Sequence, residues 1–104
     1  MNTQQRKEIT EELYHETLIL LEGKGYAYSG KDDTLANFKR IGENTGLTKY
    51  QVWAVYANKH IDAVNNAIKY DPQAPKEKTE GMRGRILDII TYMTILECML
   101  HEDK

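Results

Sequence analysis

The sequence predicts an all-α fold, a small bundle of three long helices and one short one. Three observations carry this. Apolar residues recur at three- and four-residue spacing over long stretches. No segment alternates apolar and polar residues for long enough to make a strand. Glycines at 23, 25, 30, 42 and 46 and prolines at 72 and 75 cut the chain into short pieces. At 104 residues the chain makes one domain with one core.

The first helix is expected from Thr3 to Glu22, with Ile9, Leu13, Leu20 and Leu21 on one stripe and Gly23 as its stop. Five glutamates, Glu8, Glu11, Glu12, Glu16 and Glu22, cover the rest. KGYAYSGKDD then reads as loop. A short helix follows from Thr34 to Glu43, turning Leu35, Phe38 and Ile41 inward. Thr48 opens the third helix, where Gln51 completes a capping box, and this helix runs to Tyr70. Val52, Val55, Tyr56 and Ala63 make one apolar stripe, and Trp53, Ala57, Val64 and Ile68 the next. Residues 71–79 hold both prolines and read as the linker. The fourth helix, Glu80 to His101, is apolar over a wide arc from Met82 to Leu100. So much apolar helix surface in so small a chain predicts an oligomer, at least a dimer.

Composition excludes several classes. Fourteen basic against sixteen acidic residues leave a net charge of −2, with no basic excess for duplex nucleic acid. The 40% hydrophobic and 29% charged content fits a folded domain and not a disordered one. Asp88 interrupts the longest apolar run, so no membrane span is expected. The start lacks an apolar signal core. The single cysteine, Cys98, allows no internal disulfide and no cysteine-based zinc cage, so the expected compartment is the cytoplasm. Seven tyrosines against one phenylalanine suit half-wet surfaces such as a pocket or an interface.

The informative residues are polar groups on the two most apolar helices. The third carries Asn58, Lys59, His60 and Asp62; the fourth carries Glu80, Arg83, Arg85 and Asp88. Arg85, Asp88 and Tyr92 share one helix face. Gly84 costs the helix about 1 kcal/mol relative to alanine, which suits a close approach by a backbone or ligand. The structural alternative is an Arg85–Asp88 ion pair on a wet face, a hydrogen-bonded His60 and a solvated row of glutamates. The tyrosine-bearing segment adds Lys24, Tyr26, Tyr28, Ser29 and Lys31, and the short helix adds Asn37. Cations hold phosphates, tyrosine stacks on a base and asparagine reads its edge, so together these residues suit a nucleotide.

At these residues the chain resembles small phage and prophage proteins of the nucleotide-modification-associated domain 1 type. The pattern is Asn37-Phe38, Gly46-Leu47-Thr48-x-x-Gln51-Val52-Trp53, Lys59-His60, then Glu80 with Gly84-Arg85-Ile86, Asp88 and Tyr92. It extends from Lys24 to Leu100. The layout is also distantly similar to the all-α (MazG-like) NTP pyrophosphatases, which hold Mg²⁺ on Glu-x-x-Glu and Glu-x-x-Asp pairs. That likeness implies Mg²⁺ on Glu8, Glu12 and Asp88, with Glu16 in reach of the same face. Residue 83, where an acid would complete Glu-x-x-acid after Glu80, is arginine. This favours anion binding over cation binding.

Three functions follow as expectations. The first is a phage-type protein that sequesters a nucleotide, cyclic or signalling, made by a host antiviral defence, in the host cytoplasm and with no cofactor. Its ligand residues are Lys24, Tyr26, Tyr28, Asn37, Lys59, His60, Arg83, Arg85, Asp88 and Tyr92. The second is a Mg²⁺-dependent nucleoside triphosphate pyrophosphatase. The third is a helical interaction protein that binds a host protein.

Overall fold

A computed structural model describes residues 1–104. It is all-helical, with α1 Thr3–Ser29, α2 Ala36–Thr45, α3 Lys49–Tyr70 and α4 Gly81–Glu102. α1 opens on a capping box in which Asn2 and Gln5 each accept the other's backbone N–H at 2.8 Å. The expected stop at Gly23 is overturned, for α1 continues to Ser29. A glycine inside a helix weakens it by about 1 kcal/mol but does not break it. Leu21, Gly25 and Tyr28 lie on the side turned toward α2 and α4, and that packing carries the helix on. Gly30 ends it, with φ +73° and its N–H bonded to the Tyr26 carbonyl at 2.9 Å.

α2 starts after Asp33, whose carboxylate accepts the Leu35 N–H at 3.0 Å. Gly42 is required by a close approach, because a Cβ there would stand 2.6 Å from the Leu47 carbonyl oxygen. α3 begins with the predicted Thr48–Gln51 capping box. In the linker, Glu77 turns back to accept the N–H groups of Glu80 at 2.7 Å and Gly81 at 3.0 Å. It therefore satisfies donors that α4 would otherwise leave orphaned, a role its place ahead of the helix hides.

α4 packs most extensively on α3; α2 lies on α3, and α1 rests on α4 and α2. The core is Leu35, Phe38, Val52 and Met99, flanked by Ile41, Tyr50, Trp53, Tyr92 and Ile95. Phe38 meets Tyr56 and Tyr92 edge to face, and the Trp53 indole N–H donates to the Tyr92 carbonyl. Several expected core positions are exposed, Ile68 among them. Val55 is 62% exposed and Ile9 44%. Val55 lies about 130° round α3 from the Val52–Ala57–His60 side that packs. Ile9 lies on the part of α1 where only Thr17, further along, is fully buried. No helix is long and apolar enough to cross a membrane.

Candidate functional site

One cleft gathers side chains from all four helices. It has a volume of about 260 Å³. Leu20, Leu21, Phe38 and Ile95 give it apolar walls, and most of the predicted polar residues converge there. Lys24 and Tyr28 come from α1, Asn37 from α2, Lys59 and His60 from α3, and Asp88 and Tyr92 from α4. Glu80, at the start of α4, completes the rim.

His60 is the pivot and is only 5% exposed. Its Nδ1 lies 2.9 Å from Arg85 Nη1. A guanidinium only donates, so Nδ1 accepts and the ring proton sits on Nε2. Burial pushes the His60 pKa below its usual value, with the Asp88 carboxylate partly opposing that. Asp88 Oδ2 stands 3.5 Å from the same Nδ1, and Asp88 Oδ1 stands 3.7 Å from the Lys24 ammonium. The Tyr92 ring lies tilted against the imidazole, 5.4 Å between centroids. Burial raises the pKa of its phenol.

Arg85 backs the cleft and does not line it. Its side chain is 11% exposed, and Nη2 donates to the Thr79 hydroxyl at 3.1 Å. Nε lies 3.5 Å from Glu77, and Nη1 lies 3.6 Å from Glu80. Arg85 thus ties the linker to α3 through His60. The alternative of an Arg85–Asp88 surface pair is not what forms; Arg85 turns to Glu77, Glu80 and His60, and Asp88 turns to Lys24. The Glu77 carboxyl is held down to about 2, first by the Thr79 hydroxyl and then by the Glu80 amide.

Two predicted ligands lie elsewhere. Tyr26 and Tyr28 were expected together on a loop. On a helix, residues two apart point about 160° from one another, so Tyr28 faces the cleft while Tyr26 borders a second hollow beside Leu35 and Cys98. Arg83 reaches across the surface to Glu16 at 3.2 Å. Gly84 is not explained by a close approach, because a Cβ there would meet only the Glu80 Cβ at an ordinary 3.4 Å.

The Mg²⁺ ligands implied by the pyrophosphatase likeness do not assemble. Glu8 and Glu12 lie about 24 and 18 Å along the helix axis from Lys24, the α1 residue that meets Asp88. Both are exposed. The groups near Asp88 are different ones: ligand atoms of His60, Glu80 and Asp88 all lie within 4.8 Å of one another. The Arg85 guanidinium already stands against two of the three and supplies the positive charge. Glu80 belongs to the sequence motif but not to the ligand set the sequence predicts. Its signal was the eight-residue interval to Asp88, two helical turns along one face.

What the cleft offers a ligand follows from which groups are already satisfied. Asp88 faces Lys24, and Glu80 faces Arg85. The Asn37 side-chain oxygen accepts from Ser29, which leaves its NH₂ group unpaired. The Lys59 ammonium, the Tyr28 and Tyr92 hydroxyls and His60 Nε2–H have no partner in the protein. The cleft therefore offers a cation and several free donors, while its two carboxylates are opposed by cations at 3.6 and 3.7 Å but accept no hydrogen bond. Comparison with protein-family models, curated proteins and solved structures finds no match to this chain.

Proposed function

We propose that the protein binds a nucleotide in this cleft and sequesters it without hydrolysis. One observation carries the reading. The Lys59 ammonium, the Asn37 NH₂ group, two phenols and His60 Nε2–H face the cleft unpaired, and both carboxylates there stand opposite cations. Phosphate oxygens accept and carry negative charge, so they match that set. Tyr28, Tyr92 and Phe38 supply aromatic surface for a base. A volume of about 260 Å³ lies at the small end for small-molecule sites. With the phage resemblance, the reading becomes a phage-encoded sponge in the host cytoplasm, taking up a cyclic or signalling nucleotide of antiviral defence. The uncovered apolar helix surface further supports a homo-oligomer, at least a dimer.

The test is to incubate the protein with a nucleotide panel and Mg²⁺, remove free ligand, heat-denature and chromatograph what is released. Intact nucleotide is expected. Monophosphate with pyrophosphate would instead identify a pyrophosphatase, and no retained nucleotide would identify an interaction protein. Retention is expected to survive EDTA, because Lys59 and Lys24 need no ion. It should fall as sodium chloride rises, because ionic contacts near the surface are screened.

A further inference from the structure

The outward face of α4 carries a second pattern. Met82, Ile86, Ile89, Met93, Leu96 and Leu100 follow one another at intervals of four, three, four, three and four residues. This is an unbroken a/d heptad seam, about 27 Å long at 1.5 Å per residue. A helix that only covers a globular core needs an apolar stripe of period 3.6, and has no reason to hold a strict 3.5 over its whole length. Nor does the monomer cover the seam. Ile86, Met93 and Leu100 are exposed, and the other three are half-buried. Along its edge a shallow groove opens between α1 and α4, where Leu13 and Tyr14 face Ile89 and Met93.

We infer that this face is covered by the same face of a second copy, in a two-fold antiparallel packing of α4 on α4. A two-fold interface must be self-complementary, and this seam is. About an axis near Thr91, Met82 meets the partner's Leu100, Ile86 meets the partner's Leu96, and Ile89 meets the partner's Met93. Every apolar layer finds an apolar one. Charge selects the direction. Arg83 and Glu97 are exposed and occupy the same flanking heptad position at opposite ends of the seam. Antiparallel packing sets Arg83 beside the partner's Glu97 at both ends. Parallel packing would set this flanking position beside the partner's other flank, where Glu97 meets the partner's Tyr92, which is uncharged, and no Arg–Glu pair forms. Within one chain Arg83 pairs with Glu16, and Glu97 pairs with His101. Both contacts are solvent-exposed and readily exchanged.

The seam lies about 120° round α4 from Asp88, Tyr92 and Ile95, so both clefts stay open in the dimer. The inference rests on the oligomer reading and stands apart from the nucleotide reading. Light scattering at micromolar concentration should give twice the 12.0 kDa chain mass. Met93→Glu and Leu100→Glu should each give a monomer with unchanged helical circular dichroism, since both side chains are already half exposed in the single chain. Arg83→Glu should weaken dimerisation several-fold, and adding Glu97→Arg should restore it. A monomeric wild type, or a dimer that survives both apolar-to-Glu changes, overturns the seam. Failure of the double charge swap to restore association overturns the antiparallel direction. Nucleotide retention is measured on the same samples. A dimer that retains nothing keeps the seam and removes the nucleotide reading; a wild-type monomer that retains nucleotide does the reverse.

Discussion

Two charged clusters tie α4 to its neighbours, and they differ in what they leave unsatisfied. At the C-terminal end, Lys49 meets Asp103 at 2.6 Å and Glu102 at 3.3 Å, and Lys39 meets Glu102 at 2.8 Å and Asp33 at 2.9 Å. The Tyr50 hydroxyl donates to Asp103. Every cation has its anions. That is a staple. Around His60 the groups are more deeply buried, and the carboxylates are matched by Lys24 and Arg85. Lys59, the Asn37 amide and two phenols nevertheless face an open cleft with no partner. Charge density alone does not mark a site; leftover hydrogen-bonding capacity beside a cavity does.

The sharpest way to break this contrast is to remove Arg85. Arg85→Ala takes away the only donor to His60 Nδ1 and the cation beside Glu77. A buried group left without its partner costs about 1–3 kcal/mol, and breaking a buried ion pair costs at the upper end or beyond. We expect a clear drop in thermal midpoint, of several degrees for a domain this size, measured by circular dichroism. An unchanged midpoint would show that Arg85 is a surface group and would return it to the list of candidate phosphate ligands.

That role for Arg85 marks the limit of what the sequence shows. The capping box at Thr48 and Gln51 was legible because all its atoms lie within one turn. The inward face of Leu35 and Phe38 was legible because periodicity reports burial directly. The extension of α1 past Gly23 was not, since a glycine costs a helix only about 1 kcal/mol and packing on α4 decides the outcome. With the helix end misplaced, Tyr26 was put beside Tyr28. Glu77 was hidden because it caps α4 from within a proline-containing linker. For the site, Lys59, His60, Asp88 and Tyr92 stood out as polar or half-polar residues on apolar helices. Their meeting with Lys24 and Asn37, and the turning of Arg85 away from the cleft, are tertiary facts that no local spacing encodes.

A smaller effect separates the two clusters by function. Lys59→Ala removes the free cation of the cleft. Its loss should weaken nucleotide binding by about tenfold or more, the scale of one charge-assisted bond, while thermal stability stays near wild type because Lys59 is exposed. Lys49→Ala should do the opposite. It opens the staple, lowers the midpoint slightly at low salt, and leaves nucleotide affinity unchanged. The measurements are calorimetric titration and thermal melts on both variants. Equal effects of the two on binding would mean that affinity follows net charge and not the cleft.

The smallest effect expected is a pH dependence that belongs to His60 alone. Burial lowers its pKa in the folded state below that of an exposed histidine, about 6.5. As pH falls through that value, the unfolded chain takes up a proton that the folded chain refuses. The unfolded state then binds more protons, so stability declines with falling pH until the folded pKa is reached. The sign has a structural cause. A proton on Nδ1 would turn a donor toward the Arg85 guanidinium 2.9 Å away. Only Asp88, at 3.5 Å and already shared with Lys24, could receive it. Lys59 from its own helix adds to the opposition, and Glu80 eases it. Glu77, with its carboxyl lowered from 4.5 to about 2, loses its contribution as pH falls from about 4.5 toward 2, below the range of the melts that test His60. Thermal melts between pH 7.5 and 5.5 should therefore show a midpoint that falls on acidification in the wild type. His60→Asn should flatten that slope, whatever its stability at neutral pH. A slope that persists in His60→Asn would assign it to His15 or His101, both exposed, and would remove His60 from its place as the neutral pivot of the cleft.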